Sequence, residues 1–158
     1  MTSKVTLVIK DIDPRAFDDL RRRLEAGNHQ VRIGFPAGVQ HKGDGDSIAM
    51  AELAAVHEFG APSVGIPERP FMRVSLQKNR PAYVALNRQN IKKILQKQMD
   101  IRTALGRLGE LAKGDMQKEI AQGSFAPLKP STIRRKGSSR PLVDSGQMRQ
   151  SIAWEIDE

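Results

Sequence analysis

From Tyr83 to Gln122 apolar side chains return every three or four residues, and a chain holding so long a helical stretch can fold only around it. Ile91, Leu95 and Met99 are spaced by four; Ile101, Leu105, Leu108, Ala112, Met116 and Ile120 continue at threes and fours. Gly106, Gly109 and Gly114 weaken the run, so a kink or break is expected among them. Lys92, Lys93 and Lys97 make its first part basic. Alternating segments lie elsewhere: Val5, Leu7 and Ile9; Val31, Ile33 and Phe35; Ile152, Trp154 and Ile156. Together they predict an α+β fold, a small antiparallel or mixed β-sheet packed against a long helix and shorter helices.

Asp13 and Pro14 read as the cap and first residue of a helix whose Phe17, Leu20 and Leu24 share one face. Arg21, Arg22 and Arg23 include its solvated face, and Gly27-Asn28 stops it. With strands on both sides, this is a β-α-β opening. Residues 36–46 form a polar, Gly-rich loop. Asp46 or Ser47 then caps a helix with Ile48, Ala51, Ala55 and Phe59 on one face, widened by Leu53 and Val56 and ended by Gly60. Pro62, Gly65 and Pro67 bar regular structure to about Glu68; helix resumes near Pro70 or Phe71, with Pro81 an expected break. Residues 124–146 are irregular and rich in Pro, Ser, Lys and Arg, with one helical turn expected over Thr132–Lys136. The reading is one domain over 1–158 with two long loops, 36–46 and 124–142, mobile in the free protein and ordered in an assembly.

A hydrophobic fraction of 39% with 28% charged residues excludes a disordered tail, and only 4% aromatics leaves the core to Leu, Ile, Val, Ala and Met. There is no cysteine, which excludes disulfides, thiolate metal sites and a cysteine nucleophile, and fits a reducing compartment. The first ten residues lack a signal-peptide layout, and no window is long enough to span a membrane. Synthesis in the cytoplasm without membrane attachment is therefore expected. The net charge of +8 favours acidic partners, whether nucleic acid, anionic surfaces or acidic protein faces, or serves only to keep the chain dissolved.

Motifs that carry chemistry fail on inspection. His57-Glu58 begins a zinc-helix pattern, but the second histidine one turn later is Ala61, and His29 and His41 belong to other elements. Asp44-Gly45-Asp46 begins a calcium loop, yet the bidentate twelfth position is Ala55. The Gly-rich segments at Gly34–Gly38 and Gly43–Gly45 have no Lys-Ser/Thr continuation, and no serine stands in a nucleophile elbow. No catalytic, cofactor-binding or metal-ligating residue is expected, and an enzyme is the least expected class. Arg134, Arg135, Lys136 and Arg140 form the best basic cluster: candidates for contact with DNA phosphates or with an acidic protein face, or a solvated loop. In Ile66–Phe71, Pro67 and Pro70 stiffen a corner, Arg69 offers a fork of donors to carbonyls or a carboxylate, and Phe71 can anchor it in the core. Glu58 is a candidate partner for Arg69.

Two segments resemble the tail-completion (neck, or virion-morphogenesis) family of tailed bacteriophages. The first is Ala51-x-x-Ala54-x-x-His57-Glu58-Phe59-Gly60 with Ile66-Pro67-x-Arg69-Pro70-Phe71-x-Arg73. The second runs from Phe125-x-Pro127-Leu128-Lys129-Pro130 through Lys136-Gly137 to Asp144-Ser145-Gly146-x-Met148-Arg149-x-Ser151-Ile152. His57 fits the family pattern as a variant, Ser145 and Met148 are mild departures from it, and the two segments cover about a third of the chain. The resemblance implies a non-enzymatic virion protein at the head-proximal end of the tail. It implies a ring, as a hexamer, with tail terminator, tail-tube and head-completion proteins as neighbours. Carried over, Glu58, Phe59, Gly60, Pro67, Arg69, Pro70, Phe71, Asp144, Ser145, Gly146 and Met148 are expected to determine the fold, leaving contacts to the two loops. The competing readings are a basic nucleic-acid-binding module, and a tail-tube or capsid morphogenesis factor.

Overall fold

The computed structural model describes residues 14–26, 29–41 and 47–157. The expected strand at Val5–Ile9, the Asp13 cap and the Gly27-Asn28 stop lie outside them. In chain order the described elements are α1 (Pro14–Ala26), β1 (Gln30–Gly34), β2 (Gln40–His41), β3 (Ile48–Ala49), α2 (Met50–Phe59), a 3-10 turn (Pro62–Val64), α3 (Phe71–Leu95), α4 (Ile101–Gln122), α5 (Pro130–Lys136), α6 (Gln147–Gln150) and β4 (Ala153–Asp157). The fold is α+β.

The long periodic stretch folds back on itself as the α3/α4 hairpin. As one helix, residues 71–122 would reach about 78 Å, about twice the span of a domain this size. The break is not at Pro81, and not at Gly106, Gly109 or Gly114. It falls at Gln96–Asp100, where no glycine or proline stands. Lys97 takes a left-handed φ of 57°, its N–H donates to the Ile94 carbonyl and that of Gln98 to Lys93, a complete Schellman closure. Asp100 then caps α4, accepting from Thr103 N at 2.7 Å and Thr103 Oγ1 at 2.7 Å. Pro81 is tolerated because it lies on the exposed side, where the carbonyl it leaves unpaired meets water. The antiparallel register follows from two contacts, Lys78 with Glu119 and Asn90 with the Ala104 carbonyl.

β1 and β4 pair antiparallel, Val31 opposite Ile156 and Ile33 opposite Trp154, and pack against α4. The polar pair of Arg32 and Glu155 points out. Two of the α4 glycines, Gly106 and Gly109, prove to be a seat for the tryptophan: a Cβ at Gly109 would lie 2.6 Å from the Trp154 indole, so only glycine lets the ring reach the helix backbone. Trp154 Nε1 donates to Glu110 Oε1 at 2.8 Å.

The main core lies at the other end of the hairpin, where Met50, Ala54, Phe71, Met116, Ile120, Leu142, Met148 and Ile152 are all buried. Phe35 meets Phe71 edge to face, ring centroids 6.2 Å apart. Burying Phe71 completely is worth about 2–3 kcal/mol. A smaller cluster of Leu20, Leu95 and Ile101 attaches α1 to the turn of the hairpin, while Phe17 is 55% exposed and does not join it as expected.

Helix α2 departs most from its expected form. Ile48 is in a strand, not a helix, because Ile48–Ala49 pair with Gln40–His41 inside the expected loop. The helix begins at Met50, whose N–H donates to the Val39 carbonyl, and Ser47 turns to Gln40 instead of capping. The buried face is Met50, Ala54 and Glu58, not Ala51, Ala55 and Phe59. The second expected loop is also more built than foreseen: α5 covers seven residues of it and Leu142 plugs the core.

Candidate functional site

The two segments singled out in the sequence meet at one corner, and the arrangement starts from Glu58. A carboxylate this buried, 3% exposed, requires donors on its oxygens. They come from the start of α3: Met72 N donates to Oε2 at 2.9 Å, and Arg73 N and Nε donate to Oε1, each at 3.0 Å. Pro70 precedes the first turn and has no side chain to cap it, so Glu58 caps α3 from another helix, where the dipole favours negative charge. Arg73 also donates through Nη2 to the Glu58 carbonyl and to Glu68 Oε2, both at 3.0 Å. Those two carboxylates, Glu68 first, hold the Arg73 guanidinium above its ordinary pKa.

Arg69 is not the partner of Glu58. It is 4% exposed, and donates from Nε to the Ala126 carbonyl at 2.9 Å and from Nη2 to the Pro127 carbonyl at 3.2 Å. Its own N–H donates to the His57 carbonyl at 2.6 Å. One residue, through its backbone N–H and its side chain, thus rivets the end of α2, the Pro67–Pro70 loop and the segment after α4. Burial lowers the Arg69 pKa from its ordinary value, a cost that the two carbonyls offset.

Gly60 is the hinge of the corner. Its φ is +71°, and a Cβ there would lie 2.8 Å from Glu68 N and 3.0 Å from the Ile66 carbonyl, so a side chain is excluded by strain and by space together. The Ala61–Ile66 bridge closes the turn beyond it. Phe59 faces outward, 67% exposed, with the Arg73 guanidinium 5.6 Å from its ring centroid. Val64, in the turn beyond Gly60, is also 66% exposed.

His57 lies partly buried under the corner, and burial first, then the Arg69 and Lys136 charges, hold its pKa down at about 4. Burial also lowers the Lys136 pKa, against the opposing pull of Asp144. Lys136 Nζ donates to the Arg140 carbonyl at 3.0 Å and acts as a strut, while Arg134, Arg135 and Arg140 remain exposed. Gly146, at φ 79°, opens α6, Ser145 Oγ accepts from Gln147 N, and Met148 is buried in the core.

The structure therefore brings together Glu58, Gly60, Arg69, Phe71, Lys136 and, beside Lys136, Asp144. Sequence reasoning missed Arg73 as the partner of Glu58 and missed the Ala126 and Pro127 carbonyls. Backbone acceptors carry no sequence signal. Among the described residues no three His, Asp or Glu side chains converge on a point, and no helix is long and apolar enough to cross a membrane. No family model, curated protein or solved structure matches this chain.

Proposed function

We propose that this chain is a structural virion protein of a tailed bacteriophage or prophage, completing the head-proximal end of the tail and helping to join it to the head. The supporting observation is the Arg69 rivet to Ala126 and Pro127, through which the two segments that resemble the tail-completion family become one rigid corner. Its buried charges are occupied in holding backbone, and its outer surface offers Phe59, Val64 and the exposed Arg134, Arg135 and Arg140. A rigid corner with an apolar and cationic rim suits a heterologous contact that repeats around a ring. The chain acts in a ring of its own copies, as a hexamer, within the virion. Tail terminator, tail-tube and head-completion proteins are its neighbours.

Electron microscopy of a lysate in which the gene is disrupted tests this reading. Separate DNA-filled heads and finished tails are expected; normal virions would remove it. A second reading, a basic nucleic-acid-binding module, draws on the net charge of +8.

A further inference from the structure

The α3/α4 hairpin separates two basic regions. α3 leaves the Glu58–Arg69 corner at Phe71 and ends at Leu95, a run of 25 residues, or about 37 Å. The cations of α5 lie at the corner, where Lys136 is tied to a carbonyl. At the far end, α1 rests on the α3–α4 turn through Leu20, and an open cleft runs between them. Arg15, Arg22, Arg23 and Lys97 line it, opposed by Asp19 and Asp100. Asp100 is already engaged as the cap of α4. Lys92 and Lys93, exposed on the last turn of α3, add charge beside it.

No ion pair among the described residues engages Arg22, Arg23, Lys92, Lys93 or Lys97, whereas Arg21, Arg32, Arg73 and Lys78 are all paired. Arg22, Arg23 and Lys97, gathered on one concave surface where Asp100 is already engaged as a cap, focus a positive potential. Most of the side chains that line it are charged or carry an amide, unlike the dry centre of a protein interface. We infer that this cleft, and not the α5 cluster, grips the sugar–phosphate backbone of duplex DNA without reading sequence. The inference rests on the virion reading only in taking genomic duplex as the nucleic acid at hand. Contacts of this kind position the protein on the duplex and release counterions.

The test is fluorescence anisotropy of the purified full chain with a labelled duplex of about 20 base pairs, from about 50 to about 200 mM salt. Two triple variants are compared, Arg22→Gln/Arg23→Gln/Lys97→Gln and Arg134→Gln/Arg135→Gln/Arg140→Gln. The parent is expected to bind, with affinity falling steeply as salt rises. The cleft triple should lose at least about tenfold at low salt, with a slope shallower by about 0.9 for each phosphate contact removed. The α5 triple should stay within about twofold of the parent. An absence of binding by the parent, an undiminished cleft triple, or an equal loss in the α5 triple would each overturn the inference. These side chains are exposed, and circular dichroism checks the fold of each variant; should the triple unfold, Arg22→Gln/Arg23→Gln replaces it. A failure here leaves the virion reading intact, because the lysate experiment reads head–tail joining and not DNA affinity.

Discussion

The two ends of the α3/α4 hairpin use charge in opposite ways. At the corner, Glu58 and Arg69 are almost wholly buried; Glu58 takes its donors from two backbone N–H groups and the Arg73 side chain, and Arg69 takes its acceptors from two backbone carbonyls. At the turn, Arg22, Arg23 and Lys97 are exposed and engage no carboxylate among the described residues. Buried charge demands a partner and so specifies geometry; exposed charge costs little and leaves its field for something outside the molecule. The teaching is that a basic protein's structural cations and its available cations are separable only by burial.

The sharpest way to break this comparison is Glu58→Ala. It strips the first turn of α3 of its acceptor and leaves Arg73 with Glu68 and the carbonyl of residue 58, and a loss of about 3–4 kcal/mol, from the lost cap and the lost charge-assisted hydrogen bonds, is expected in denaturant unfolding. A loss below about 1 kcal/mol would mean that the corner is no more specified than the turn.

The pH dependence comes next. His57 is held at about 4 when folded against about 6.5 unfolded. Between those values the unfolded chain binds the proton and the folded chain does not, so this residue contributes a stability that is full above about pH 6.5 and declines as pH falls towards 4. The slope is about 1.4 kcal/mol per unit and the total on the order of 3 kcal/mol. Melting the parent and His57→Gln across this window should show the two curves converging with acid; parallel curves would clear His57 of the effect.

Arg69→Lys keeps the charge but loses the fork that spans two carbonyls, and should cost about 2 kcal/mol while loosening residues 125–127 in hydrogen exchange. The smallest effect belongs to the turn. Lys97→Gly relieves a left-handed φ of 57° and should raise stability by about 1 kcal/mol, the opposite sign from every corner variant. The same change removes one of the cleft's cations, so a more stable protein with weaker DNA binding would join both halves of the comparison in one variant.

How much of this was legible depends on whether the signal is local. The α3 start at Phe71, the Gly60 stop and the final strand were readable because proline, glycine and alternation act on their own neighbours. The Gln96–Asp100 turn was not, since lysine in a left-handed conformation leaves no mark, although Asp100 followed by Thr103 is a readable cap. The α2 face was misread because a buried glutamate is indistinguishable from a solvated one until its donors are known, and an exposed Phe59 from a buried one until the strand pairing turns the helix.

The sequence by itself determined the α+β class, the long helical stretch, the rigidity of the Pro67–Pro70 loop and the end of α2 at Gly60, because each follows from the conformational preferences of the residues present. Only the tertiary structure decided that Glu58 caps a helix begun thirteen residues later, that Arg69 holds Ala126 and Pro127, and which cations stay unpaired. Those outcomes depend on groups far apart in the chain arriving at hydrogen-bond distance, and the cost of leaving a buried charge alone is what selects them.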